Sequence, residues 1–131
     1  MLKKIESLHP PVIGVLAEGK VTREDYEAVL IPLLEEEHRR GRKVRFLYQF
    51  SPEFSGFTVG AAADDFRVGF KYFHLFEKCA VVSDADWIRG TTQFVGSFMP
   101  CPVRAYKNGE LQEAIKWLEK PALESNLNIE M

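Results

Sequence analysis

The chemically capable residues of this chain are scattered, and their spacing can be tested against each reaction class in turn. A phosphate-cradling loop needs Gly-Lys-Ser/Thr, and a dinucleotide fingerprint needs Gly-x-Gly-x-x-Gly after the first strand. Gly56 and Gly60, in the stretch QFSPEFSGFTVGAAADDF (49–66), match neither, and no lysine follows them. They read as a turn and a close helix approach. His9, His38 and His74 lack metal-ligand spacing to one another or to a cysteine. The chain has no Gly-x-Ser-x-Gly elbow. Asp64 and Asp65 read as a solvated first turn, where acids suit the positive end of a helix dipole. Cys79 and Cys101 stand far apart without a Cys-x-x-Cys and read as two separate reduced thiols in apolar segments. Acid, base and nucleophile do not assemble. The chain is therefore expected to be non-enzymatic, with no catalytic residue, no metal and no cofactor.

Composition sets the outer limits. The 131 residues fit one domain large enough for a core without metals or disulfides. Apolar residues make up 46% and charged residues 27%, an ordinary globular balance. Seventeen basic against nineteen acidic residues give a net charge of −2, which argues against a nucleic-acid partner. The start, MLKKIESLHPPVIGVL, lacks the long apolar stretch of a signal peptide, and a cytoplasmic location is expected.

The elements that must position any site follow from periodicity. Residues 2–8 and VIGVL (12–16) read as a hairpin across His9-Pro10-Pro11. Thr22 and Asp25 form a capping-box pattern before a helix with Tyr26, Val29, Leu30, Leu33 and Leu34 inward. Pro32 should kink that helix, and Gly41 should end it. VRFLYQF (44–50), KCAVVSD (78–84) and CPVRAY (101–106) read as strands. Between them lie a second helix over 58–76 and a third over 85–99; a fourth opens at Asn108-Gly109 with Leu111, Ala114, Ile115 and Leu118 inward. Residues 1–121 form one domain, and 122–131 a tail. The fold class is α/β: a mixed, mostly parallel five-stranded sheet with an N-terminal β-hairpin and four helices.

The aromatic residues carry the functional signal. Eight of ten phenylalanines fall between 54 and 98, and Trp87 joins them. The second helix is expected to turn Val59, Ala62, Ala63, Phe66, Phe70 and Phe73 inward, and the third Trp87, Thr91, Phe94, Val95 and Phe98. Gly60, Gly69, Gly90 and Gly96 interrupt these helices. Each costs about 1 kcal/mol against alanine, so they imply close packing or room for a ligand. A filled aromatic core is the plain reading. The functional reading is an apolar pocket between the second and third helices, lined by Phe54, Phe57, Phe66, Phe70, Phe73, Trp87, Phe94 and Phe98. The basic run HRRGRKVR (38–45) reads as a solvated turn that could also meet an anionic phospholipid surface.

The order of elements, the stretches FEKCAVVSDADW (76–87) and SGFT (55–58), and the closing EAIKWL (113–118) resemble the SpoIIAA-like family over residues 2–120. The resemblance implies small bacterial proteins with a fold similar to STAS anti-sigma-factor antagonists and CRAL-TRIO lipid-binding domains. In STAS antagonists a Ser-Gly pair opens the second helix, and that serine is phosphorylated by a partner kinase. Ser55-Gly56 falls at a comparable place, although Phe54 stands before the serine and the motif's Asp is absent. The resemblance thus makes Ser55 a regulatory candidate. The function expected is a non-enzymatic cytoplasmic module binding a lipophilic small molecule or lipid. The alternative is a STAS-like domain acting through a regulatory protein partner. An exposed sheet edge and the apolar residues Leu123, Leu127 and Ile129 of the tail further suggest a homodimer.

Overall fold

A computed structural model describes residues 1–121, apart from the side chain of Phe66; the tail expectation therefore lies outside the described residues. The main sheet has five strands: β1 (Leu2–Lys4), β2 (Val12–Ala17), β4 (Val44–Phe50), β6 (Phe76–Val82) and β7 (Val103–Tyr106). They lie in the order β1-β2-β4-β6-β7. β1 pairs antiparallel with β2, and every other neighbour is parallel. The expected mixed sheet with its N-terminal hairpin is therefore present. The small parallel pair β3 (Lys20–Val21) and β5 (Gly56–Phe57) is an addition that periodicity does not reveal.

Thr22 caps the first helical segment with the anticipated box: its side chain accepts from the Asp25 N–H at 3.2 Å, and its own N–H reaches the Asp25 carboxylate at 2.8 Å. The segment runs through α1 (Arg23–Asp25), a π-helical turn (Tyr26–Leu30) and α2 (Ile31–Arg39). Pro32 has no N–H to give to the preceding turn. The ladder accommodates it by widening just upstream, where the Ile31 N–H reaches back to the Tyr26 carbonyl. Gly41 ends the segment at φ +67°, a conformation that favours glycine.

The other helices are α3 (Val59–Tyr72), α4 (Asp86–Gly96) and α5 (Leu111–Glu119), so four helical segments dress the sheet. β6 begins two residues earlier than its apolar run suggests, because a 3₁₀ turn (Phe73–Leu75) closes the second helix early. The strand order from β2 to β7 advances in one direction. Right-handed crossovers then place all the connecting helices on one face. The core follows that division. One cluster packs Leu30, Leu34, Val68, Tyr72 and Ile88 against Ile13, Val15, Phe46 and Tyr48. A second buries Ala114, Trp117 and Leu118 of α5 against Val12, Leu47 and Val82 on the opposite face.

The inward faces of two helices differ from the expected ones. In α3 the buried positions are Ala61, Asp64, Val68 and Tyr72, followed by Leu75 in the 3₁₀ turn. Val59 is 89% exposed, Phe70 68%, and Ala62, Ala63 and Phe73 are exposed too. In α4 only Ile88 is buried, while Trp87, Thr91, Phe94 and Val95 are exposed, as is Phe98 in the turn beyond the helix end. A small residue, a β-branched one and a tyrosine with a polar tip fill the contact face of α3, which leaves the phenylalanines outside.

Candidate functional site

The carboxyl ends of β4, β6 and β7 are tied by Asn108, whose side-chain amide donates to the Phe50 carbonyl at 3.0 Å. Its N–H reaches the Asp84 carboxylate at 2.9 Å. Below this brace, between α3 and α4, an open cavity of about 250 Å³ lies over the sheet. Its floor is β4 and β6, through Phe46, Tyr48, Phe50, Cys79 and Val81, and its α4 wall is Trp87, Ile88, Thr91 and Val95. Alternation along a strand sends every second side chain to one face, so Phe46, Tyr48 and Phe50 form a continuous aromatic row. Tyr48 stacks on Phe50 at 4.4 Å between ring centroids, and Phe46 meets Tyr48 edge-on at 6.0 Å.

One end of this groove is polar. The Tyr26 hydroxyl donates to Asp65 Oδ1 at 2.7 Å and lies 2.8 Å from the Tyr48 hydroxyl. Tyr26 has one proton, and it goes to Asp65, so Tyr48 donates to Tyr26. That leaves only lone pairs, on Tyr48 and Asp65, facing the groove. Burial pushes the pKa of both tyrosines up, and the nearby Asp65 charge adds to this. Crowding by protein also raises the Asp65 carboxyl, while the Tyr26 hydroxyl pulls it down. With Asp65 ionised, the polar end accepts hydrogen bonds and does not offer them.

The anticipated site residues separate into groups. Phe57 and Trp87 line the groove. Phe54 stands behind it, in edge contact with Phe50 at 4.8 Å and Phe57 at 5.1 Å. Phe70 and Phe73 lie on the outer side of the second helix and its 3₁₀ end. Phe94 and Phe98 pack on each other at 5.4 Å, 68% and 74% exposed. None of these last four contributes to the lining, and the side chain of Phe66 is outside the described set. Tyr26, Phe46, Tyr48, Phe50, Asp65 and Val81 were missed. The alternation Phe46, Tyr48, Phe50 was the signal that could have found three of them.

Ser55 is exposed, but it does not open a helix. Its N–H donates to the Gly19 carbonyl at 2.8 Å, β5 follows it, and Thr58 is the cap of α3. A phosphate on Ser55 would sit one short strand away from the helix dipole. Asp64, expected in solvent, is 1% exposed and pairs with Arg67 at 2.6 Å and Arg23 at 3.7 Å. The basic run is largely structural. Arg39 and Arg40 pair with Glu36, and Arg42 makes two hydrogen bonds to Glu37. Arg45 donates to the carbonyls of Leu118 and Glu119 at the end of α5, at 3.0 and 2.9 Å. Among the described residues no three His, Cys, Asp or Glu side chains stand together as a metal would require. No helix among them is long and apolar enough to cross a membrane.

Comparison with known proteins places this architecture. The SpoIIAA-like family model matches residues 12–119, and the chain belongs to that family. A crystal structure of an uncharacterised DUF3478-family protein with a SpoIIAA-like fold, from Shewanella loihica PV-4, is similar at a TM-score of 0.72. The two share 24% identity, over 89% of this chain and 93% of the other. That likeness establishes the fold. No curated protein matches the chain.

Proposed function

We propose that this chain is a non-enzymatic binding module that takes a small lipophilic molecule into the groove between α3 and α4. Within the general class of regulatory and interaction domains that the SpoIIAA-like fold supports, the carrying observation is the aromatic floor of β4 beneath an open slot. Such concave, mostly apolar sites with a few convergent polar groups are the usual form of small-molecule pockets. Size narrows the class. Drug-sized ligands occupy about 300–1,000 Å³, so a groove of about 250 Å³ suits a small lipophile or one chain segment rather than a whole phospholipid. The acceptor-only end formed by Tyr48 and Asp65 favours an alcohol or amine head over a carboxylate.

The test is a titration of the full-length protein with a long-chain alkyl amine or alcohol, followed by tryptophan fluorescence, since Trp87 lines the groove. Saturable change is expected, abolished by Val81→Phe, which fills the floor, and unaltered by Phe94→Ala. Loss on Phe94→Ala with no effect of Val81→Phe would move the site to the outer face of α4. A second reading, a regulator working by protein contact, draws on that outer face, where Phe94 and Phe98 are exposed. In that reading Ser55, exposed beside β5, is the residue a kinase would reach.

A further inference from the structure

The two cysteines expected to be unrelated are brought together by the pairing of β6 with β7. Cys79 lies opposite Val103, and its N–H donates to the Pro102 carbonyl at 3.0 Å. Cys101 is two residues before Val103, in the bend that leads into β7, which sets it beside Cys79 on the neighbouring strand. The two thiols interact, and each shifts the titration of the other. Pro100 and Pro102 flank Cys101 and fix the backbone on either side. The end of α4 presses on the same corner: a Cβ on Gly96 would stand 2.9 Å from that of Val103. Both thiols are half-buried, and Cys79 is part of the groove floor.

We propose that Cys79 and Cys101 are a reversible redox pair that closes to an intramolecular disulfide on exposure to hydrogen peroxide. The pair is chemically asymmetric. Interaction with the Cys79 thiol, and then the Lys43 charge, hold the Cys101 thiol below its ordinary pKa, against the opposing effect of burial. The same interaction, together with burial, pushes the Cys79 thiol above its own. Cys101 is then the attacking thiolate and Cys79 the resolving thiol. Cys101 sulfur attacks one peroxide oxygen; an S–O bond forms, the O–O bond breaks, and the leaving hydroxide takes a proton to become water. Cys79 sulfur then attacks the resulting sulfenic acid. An S–S bond forms, the S–O bond breaks, and the departing hydroxide leaves with the Cys79 proton as a second water. Two electrons pass from the sulfurs to the peroxide. In a reducing compartment such a bond is transient and works as a sensor. The proposal holds whether or not the groove takes a ligand.

The experiment treats reduced full-length protein with stoichiometric peroxide, alkylates the remaining thiols, and maps peptides without reduction. Both cysteines should escape alkylation together, the chain should lose the mass of two hydrogens, and one peptide should join residues 79 and 101. Dithiothreitol should restore both thiols. Cys79→Ser should stop at a sulfenic acid on Cys101 that dimedone traps. Two thiols still alkylated after peroxide, or bonds formed only between chains, overturns the pair. Dimedone labelling of Cys79 in Cys101→Ser as fast as that of Cys101 in Cys79→Ser overturns the assigned roles. The wild-type peptide map decides the existence of the pair without either variant.

Discussion

Lys78 shows how far a single residue can depart from what its type suggests. It lies in a strand with no exposed surface, yet it carries an ammonium group. Its Nζ donates to the carbonyls of Trp117 and Lys120, both at 2.8 Å, and sits 4.8 Å from the centre of the Trp117 ring. The last turn of α5 has carbonyls without helical partners, and Lys78 together with Arg45 supplies donors to them. Burial, and then the charges of Arg45 and Arg104, bring the Lys78 pKa from 10.5 down to about 8. Between those values the unfolded chain holds a proton that the native chain has released, so stability rises with pH there. Below about pH 8 both states are protonated and the cost of burying the charge is present in full. Urea unfolding of wild type and Lys78→Met at ~pH 7 and ~pH 9.5 should show wild type gaining ~1–2 kcal/mol on the variant. Parallel pH profiles would remove this account of Lys78.

The helices divide their glycines by what lies beside them, and the consequences of substitution divide in the same way. Gly69 in α3 and Gly90 in α4 have no neighbour within 4 Å of an added Cβ, whereas Gly96 meets Val103 at 2.9 Å. Gly69→Ala and Gly90→Ala should therefore each stabilise the protein by up to ~1 kcal/mol through helix propensity. Gly96→Ala should destabilise it by ~1–3 kcal/mol through overpacking. Thermal unfolding of the three variants checks the signs, and a stabilising Gly96→Ala would mean that α4 does not press on β7 as described. The same two helices mark where the sequence was hardest to read. α3 offers two apolar stripes. The aromatic one through Phe70 is richer in hydrophobic surface, but the one through Ala61, Val68 and Tyr72 is the one that faces the sheet. Periodicity gives the spacing of a stripe, and where both sides of a helix are apolar it does not choose between them. Strands were clearer, because alternation is unambiguous once one face is known; Phe46, Tyr48 and Phe50 follow from it directly. The meeting of Cys79 with Cys101 required strand adjacency as well as strand identity, and no local pattern records it.

At the scale of the molecule, the alternation of strands and helices sufficed for the mixed sheet, its hairpin edge and its helical segments, because crossover handedness leaves few arrangements. The SpoIIAA-like match over residues 12–119 agrees with that reading. The groove lies over β4 and β6 with α4 as its wall and Asp65 of α3 at its polar end, and its chemistry is set by an apolar floor with acceptors at that end. Native mass spectrometry of the full-length protein with an equimolar mixture of an alkyl amine, an alcohol and a carboxylate of equal chain length tests this account most directly. It predicts one adduct per chain, with the amine and alcohol retained ahead of the carboxylate, and none in Val81→Phe. Preferential retention of the carboxylate, or adducts that persist in Val81→Phe, would contradict it.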